Sequence, residues 1–154
     1  MSTRSVVARP TVDSWEGRYI HFDGYPTGVG FELWCIVKNE GVLKAREVLI
    51  NDNSGWSSLN SNSYVELSTF GNNKCLVEGF GIAYTDTDVS EPFISPNSEE
   101  SLFYLDFGYI IQDDGIAVMA MTSKGYDVWG VVKYDMSVND AYDAFEKING
   151  GNNE

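Results

Sequence analysis

The first fifty residues show two different spacings of hydrophobic positions. An apolar run at 5–8 and a strand pattern at 18–23, joined across a polar turn, predict an N-terminal β-hairpin. From Gly28 the apolar residues recur at helical spacing until Gly41, and a second apolar stripe of the same period covers 42–49. Because the connection between the stripes is short, we predict an antiparallel helical hairpin laid on a sheet.

The next hundred residues alternate mainly between strand patterns and turns. A Ser/Asn-rich connection at 51–63 carries Trp56, whose indole is expected to fold back onto the core. Strand patterns at 64–70 and 75–84 precede a polar loop at 86–100. The pattern then predicts a meander of three antiparallel strands at 102–111, 116–121 and 126–134.

A final helix is marked by Ser137, with Asp140 three residues later, an arrangement typical of a helix N-cap. Its apolar stripe is expected to comprise Val138, Ala141, Tyr142, Phe145 and Ile148. The pattern therefore predicts a single α+β domain over 1–150 with a frayed tail at 151–154. We expect a mainly antiparallel sheet, with an α-helical hairpin and a C-terminal helix packed on one face.

Composition supports a compact protein, because 43% of the 154 residues are hydrophobic. The sequence lacks both an apolar stretch of the roughly 18–20 residues that span a bilayer and an apolar signal region at its start. We therefore expect a cytoplasmic protein without a membrane partner. In that compartment Cys35 and Cys75 should be reduced thiols, with Cys35 a small buried hydrophobe.

Charge is unevenly distributed along the chain. The formal net charge is −13, although acidic and basic residues balance over the first 50 positions. Nine carboxylates and no Lys or Arg lie between Lys74 and Lys124. Such a segment repels nucleic acid and attracts basic surfaces. We predict a partner-binding surface that includes Asp86, Asp88, Glu91, Glu99, Glu100, Asp113 and Asp114; the alternative is that these carboxylates merely keep the protein soluble.

The segment 18–30 contains residue types that are typical of chemistry as well as of packing. If 18–23 is a strand, Tyr19, His21 and Asp23 share one face, and Ile20 and Phe22 face the core. The single histidine of the chain then has a carboxylate on its own face. A Gly-rich helix start follows directly.

Two interpretations of this segment remain open. In the functional one, His21 and Asp23 form an acid–base pair or two metal ligands, while Tyr25 and the backbone N–H groups at Gly28 and Gly30 orient a ligand. In the structural one, the side chains fix the turn by hydrogen bonds and the glycines allow close helix–sheet packing. We favour the structural interpretation, which assigns no catalytic residue, metal or cofactor.

Several reaction classes are excluded by the residues present. One histidine and two distant cysteines give too few ligands for a Cys/His zinc site, and no phosphate-binding loop or G-x-S-x-G nucleophile motif occurs. The spacing after Asp86 and Asp88 does not match a calcium-binding EF-hand. Removal of Met1 would expose Ser2, but a small second residue is too common to indicate an N-terminal nucleophile.

Three groups of residues resemble a family of small uncharacterised proteins found in phage and actinobacterial genomes. The matching residues are Thr3-Arg4-Ser5, His21-Phe22-Asp23-Gly24-Tyr25-Pro26 with Gly28 and Gly30, and, downstream, Gly55-Trp56-Ser57-Ser58 and the run 79–86. The resemblance implies a phage or prophage setting and a shared fold. It implies no catalytic roles.

Two functions from different classes follow. The first is an interaction protein whose acidic surface binds a basic host or defence protein in the host cytoplasm, in its sharpest form a DNA-mimic inhibitor such as an anti-CRISPR. The second is binding or hydrolysis of a small molecule or nucleotide at His21, Asp23 and Tyr25. We favour the first function, and we expect that the protein is not an enzyme.

Overall fold

The computed structural model describes residues 3–62, 75–84, 89–96, 102–122 and 125–151. These residues form an α+β structure with one eight-stranded sheet and three α-helices. The strands are β1 (Ser5–Pro10), β2 (Trp15–Ile20), β3 (Gly55–Leu59), β4 (Leu76–Val77), β5 (Gly81–Ala83), β6 (Phe107–Ile111), β7 (Gly115–Thr122) and β8 (Gly125–Lys133). The helices are α1 (Phe31–Glu40), α2 (Val42–Arg46) and α3 (Val138–Gly151).

The sheet is mixed, so the prediction of a mainly antiparallel sheet was wrong. Its strand order is β4-β5-β3-β2-β1-β6-β7-β8, with parallel pairs at β1–β6 and β2–β3. The error arises at Gly55–Leu59, which was assigned to a connection but forms β3. Because α1 and α2 lie between β2 and β3 in the chain, their crossover brings β3 alongside β2 in the same direction.

The N-terminal hairpin and the three-strand meander are confirmed, except that the first meander strand, predicted over 102–111, begins only at Phe107 and follows a 3-10 helix at Leu102–Tyr104. β1 pairs antiparallel with β2, and β6, β7 and β8 pair antiparallel in succession. However, β2 ends at Ile20, so Phe22 lies beyond the strand and is 47% exposed instead of facing the core. The predicted strand at 75–84 consists of β4, a turn and β5, and the one at 64–70 lies outside the described residues.

The helical region differs from a simple pair of α-helices. A π-helical turn, Pro26–Gly30, leads into α1, and a second one, Glu47–Asn51, extends α2. The two helices are joined at Gly41, whose φ of +92° is a conformation that favours glycine. The antiparallel helical hairpin is not confirmed by this arrangement.

The helices share one hydrophobic core with the sheet. Leu33 and Ile36 of α1 and Ala141 and Phe145 of α3 are fully buried against β-strand residues such as Val118. The Ser137 hydroxyl accepts the Asp140 backbone N–H at 3.1 Å, which confirms the predicted cap. Two predicted members of the α3 stripe are largely outside the core, since Val138 and Tyr142 are 56% and 38% exposed.

The opposite face of the sheet is covered by irregular chain. Trp15, Ala8 and Met119 form a second buried cluster with Leu102 and Leu105. The segment 89–96 lies beside β2, where Gly17 and Ile94 exchange backbone hydrogen bonds. It is also held by Arg18, which is 2% exposed and donates to the carbonyl oxygens of Val89, Glu91 and Ile50 at 2.9–3.1 Å. Burial lowers the pKa of this guanidinium, which also stacks on Phe93 at 4.2 Å from the ring centroid.

Three smaller expectations have clear outcomes. Trp56 is fully buried and its indole N–H donates to the Leu49 carbonyl at 3.0 Å, as predicted for an indole in the core. Cys35 and Cys75 are free thiols and half-buried, and burial is the main cause that raises the pKa of Cys35 to about 11. Among the residues that the structure describes, no helix has the length and apolar character to cross a membrane.

Candidate functional site

The turn at His21–Gly30 is closed by its own backbone hydrogen bonds. The Val29 N–H donates to the Asp23 carbonyl at 2.8 Å, and the Gly28 N–H donates to the Tyr25 carbonyl at 2.9 Å. Asp23 has a φ of +58°, a left-handed conformation that lets the chain reverse after β2. Because the Gly28 and Val29 N–H groups are already bonded within the turn, these two donors are not available to an anion.

The same turn is anchored to the start of β1 and to β6. The Gly24 N–H donates to the Thr3 carbonyl at 2.9 Å, and the buried Tyr109 hydroxyl donates to the Gly24 carbonyl. Burial raises the pKa of Tyr109 well above its ordinary value, so the phenol stays a donor. Two of the segments that carry the family resemblance, Thr3–Ser5 and the His21 turn, are therefore neighbours in space.

His21 is half-buried and its partner is not the predicted carboxylate. The Tyr19 hydroxyl and His21 Nδ1 lie 2.9 Å apart in a hydrogen bond, and the imidazole packs edge-on against Phe22 at 4.5 Å. Asp23 is exposed, and in the described part of the chain no hydrogen bond joins it to His21. The structure thus brings Tyr19 and His21 together but leaves Asp23 and the exposed Tyr25 apart from them.

Gly28 and Gly30 are explained by packing. A Cβ on Gly28 would lie 2.3 Å from the Asp23 carbonyl oxygen, and one on Gly30 would lie 2.9 Å from the Tyr109 ring and 3.1 Å from Phe145. Separations under 3.0 Å are not tolerated by carbon atoms without a shift of the neighbours. These glycines let the helix start approach the sheet closely.

The predicted acidic surface is described only in part. Asp86, Asp88, Glu99 and Glu100 lie outside the described residues, whereas Glu91, Asp113 and Asp114 are exposed. Asp113 pairs with Arg46 at 3.1 Å and Asp114 pairs with Lys133 at 2.6 Å, so cations distant in sequence offset two of these charges. Lys133 accordingly lowers the pKa of Asp114.

The cations of the protein are largely occupied by internal contacts. Of the eight Lys and Arg side chains that the structure describes, six bond to carboxylates, carbonyls or a side-chain amide of the chain itself: Arg9, Arg18, Lys38, Lys44, Arg46 and Lys133. Fourteen carboxylates in the same ranges are exposed. The excess negative charge therefore lies on the surface.

The sequence argument missed the acidic residues of α3. Asp140, Asp143 and Glu146 are all exposed on this helix, opposite the buried Ala141 and Phe145. Their signal in the sequence is the set of polar positions of an amphipathic helix, which lies outside the acidic run between Lys74 and Lys124. They extend the negative surface to another part of the molecule.

A cavity of about 550 Å³ opens at one end of β6, β7 and β8. Its lining combines four apolar side chains, two carboxylates and two threonines: Phe107, Ala120, Met121, Trp129, Asp106, Asp127, Thr3 and Thr122. Phe107 pairs with Ala120, and Ala120 pairs with Asp127, so these three residues lie side by side across three strands. No sequence motif indicated this site.

A β-bulge shapes the cavity wall. Val118 pairs with Gly130 and Met119 pairs with Val128, which leaves Trp129 as the extra residue of β8. The indole packs edge-on against Phe107, with 5.8 Å between ring centroids. Bulges re-aim side chains in this way, and here the result is a half-buried aromatic wall beside Asp127.

In the ranges that the structure describes, no group of three His, Cys, Asp or Glu side chains could hold a metal ion. No protein-family model matches the chain, and neither the curated proteins nor the solved structures include a significant match. The resemblance to a phage and actinobacterial family stays a prediction. Function must therefore be argued from the residues themselves.

Proposed function

We propose that this chain is a small acidic interaction protein that binds a basic partner protein. The observation that supports the proposal is the imbalance between internal cations and surface carboxylates. A net charge of −13 is carried by a protein whose described cations are mostly bonded to its own groups. Such a surface speeds encounter with a positively charged protein and disfavours nucleic acid.

The alternative site at His21, Asp23 and Tyr25 has less support. The N–H groups of Gly28 and Val29 are bonded within the turn, and His21 bonds to Tyr19. The turn also holds β1, β6 and the start of α1 together, and this structural role accounts for the residue types that it contains. Binding of a small molecule or nucleotide there stays an untested prediction.

Carboxylates from two stretches of the chain, 91–100 and α3, can be tested against each other. A loop variant, Glu91→Gln, Glu99→Gln and Glu100→Gln, and a helix variant, Asp140→Asn, Asp143→Asn and Glu146→Gln, each remove three charges and keep side-chain size. The partner is first captured from host lysate at low salt and identified. Association rates of the wild type and both variants are then measured over a range of salt concentrations.

We expect association to slow as salt rises, because charges further apart than a Debye length of roughly 10 Å at 0.1 M are screened. The variant that lacks the docking carboxylates should associate more slowly and show a shallower salt dependence, with a smaller effect on dissociation. Unchanged rates and salt dependence in both variants would contradict the proposal.

If the protein is a DNA mimic, it must also compete with DNA for its partner. A mimic competes with DNA for the same basic surface, so double-stranded DNA should displace the protein from its partner in proportion to DNA affinity. Simultaneous binding of DNA and this protein would reject mimicry while leaving the acidic interaction intact. The anti-CRISPR assignment and the phage setting depend on the identity of the captured partner.

A further inference from the structure

The cavity at the ends of β6–β8 has a composition suited to an organic cation. Phe107 and Trp129 provide aromatic surface, and Asp106 and Asp127 are the two carboxylates of the lining. Aromatic faces attract cations through their quadrupole, and carboxylates form the strongest hydrogen bonds with charged donors. The volume of about 550 Å³ falls within the usual range of ligand pockets.

The two carboxylates differ in their hydrogen-bond partners. One oxygen of Asp106 accepts the Arg4 backbone N–H at 3.0 Å, which fixes the orientation of the group. Asp127 is exposed, and its carboxylate makes no hydrogen bond or ion pair with any residue in the described ranges. Other surface carboxylates, such as Asp113 and Asp114, are paired with cations of the chain. Within the described residues, Asp127 is thus an exposed charge without a bonded partner, and it lines the same cavity as Trp129.

We infer that this cavity binds the guanidinium group of an arginine side chain presented by the protein partner. A planar guanidinium can stack on Trp129 while it donates to Asp127, a combination that a spherical inorganic cation cannot make. This inference rests on the proposed function and names the chemical group that the partner inserts. The overall negative charge of −13 draws such a group towards the protein.

Trp129 provides the readout. It is half-buried, whereas Trp15, Trp34 and Trp56 are 2%, 1% and 0% exposed. A ligand in the cavity should therefore change the emission of Trp129 and protect it from acrylamide quenching. The probes are N-acetylarginine methylamide, its uncharged isostere N-acetylcitrulline methylamide, and a Gly/Ser peptide with a single arginine, with affinities checked by calorimetry.

We expect saturable binding of the arginine probes and at least about tenfold weaker binding of the citrulline probe, because a hydrogen bond between charged groups is lost. Asp127→Asn should weaken binding of the arginine probes by roughly tenfold or more. Asp52→Asn removes the same charge from an exposed site directly after the π-helical turn Glu47–Asn51 and should change affinity less than twofold. Trp129→Leu should weaken binding by roughly two- to fivefold, measured by calorimetry.

Equal binding of arginine and citrulline, or equal weakening by Asp127→Asn and Asp52→Asn, would overturn the inference. If the peptide binds no tighter than free N-acetylarginine methylamide and Asp127→Asn leaves partner dissociation unchanged, the cavity takes a small guanidinium compound and the partner assignment is wrong. If the arginine probes do not bind but partner association still depends on salt, only the assignment of this cavity is rejected. If association of the wild-type protein with its partner does not depend on salt, the proposed function itself is rejected.

Discussion

The His21 turn and the β6–β8 cavity both touch the start of β1 but use their polar groups in opposite ways. In the turn, the N–H groups of Gly24, Gly28 and Val29 bond to carbonyls of the chain. In the cavity, Thr3 lies at the wall and Asp127 has no bonded partner among the described residues. The His21 turn uses its polar groups in internal hydrogen bonds, whereas the described part of the cavity presents a carboxylate and aromatic surface to solvent.

This difference shows that residue type alone does not reveal whether a polar group is already bonded within the chain. A histidine, a carboxylate and glycines within ten residues look like a site, yet each is explained by the turn that joins β2 to α1. The cavity is built from ordinary strand residues whose meaning depends on register and on one bulge.

The largest effect expected from breaking the turn comes from Gly28→Ala. The added Cβ meets the Asp23 carbonyl oxygen at 2.3 Å, and that carbonyl cannot move without losing its bond to Val29. We expect a loss of stability at the upper end of the roughly 1–3 kcal/mol that overpacking costs. Chemical denaturation measures it.

Gly150→Ala is the matched control for that substitution, since nothing lies within 4 Å of the added Cβ in α3. It should stabilise the protein by up to about 1 kcal/mol through helix propensity. If both substitutions leave stability unchanged, Gly28 does not have the packing role assigned to it.

Tyr109→Phe should cost about 1–3 kcal/mol of unfolding free energy, because the Gly24 carbonyl loses its buried donor. The aromatic ring remains, so the change tests the hydrogen bond rather than core volume. Hydrogen exchange at Gly24 and Val29 should accelerate in the variant. A variant as stable as the wild type would show that the turn is not anchored through this phenol.

The dependence of stability on alkaline pH tests the burial of Tyr109 a second way. Burial raises the pKa of Tyr109 in the folded protein, so above about pH 10 the unfolded chain binds fewer protons than the folded one, and stability falls as pH rises. Tyr109→Phe should lose stability less steeply than the wild type, by up to about 1.4 kcal/mol per pH unit. Tyr84, with a pKa raised to about 12, is present in both proteins and cancels.

The smallest stability effect is expected in the cavity. Asp127→Asn changes an exposed side chain without internal partners in the described chain, so unfolding free energy should shift by less than about 0.5 kcal/mol. Thermal and chemical denaturation of both proteins measure the shift. A loss above about 1 kcal/mol would mean that Asp127 supports the fold and is not held open for a ligand.

Local patterns predicted the elements whose signals are short-range. The hairpin around Asp113–Gly115, the Ser137 cap and the buried Trp56 follow from turn residues, capping chemistry and hydrophobicity. β3 was missed because Gly55–Leu59 contains two serines and no clear alternation. Its parallel pairing with β2 depends on the helical crossover, which is a property of the whole fold.

The candidate sites were predictable to a smaller degree. Net charge is additive and can be counted along the chain, but the pairing of Asp113 with Arg46 and of Asp114 with Lys133 requires the folded structure. The cavity requires three strands in register and the bulge at Trp129. Such a site has no fixed spacing in sequence and so leaves no motif.

The most direct test of the account compares the acidic surface with the turn in one binding measurement. Association rates with the captured basic partner are measured across salt concentrations for the wild type, the α3 and loop charge variants, and His21→Ala, each checked for folding by melting. We predict slower association and a weaker salt dependence in at least one charge variant, and wild-type rates for His21→Ala. Loss of binding in His21→Ala, with both charge variants unchanged, would contradict the account and place the function in the turn.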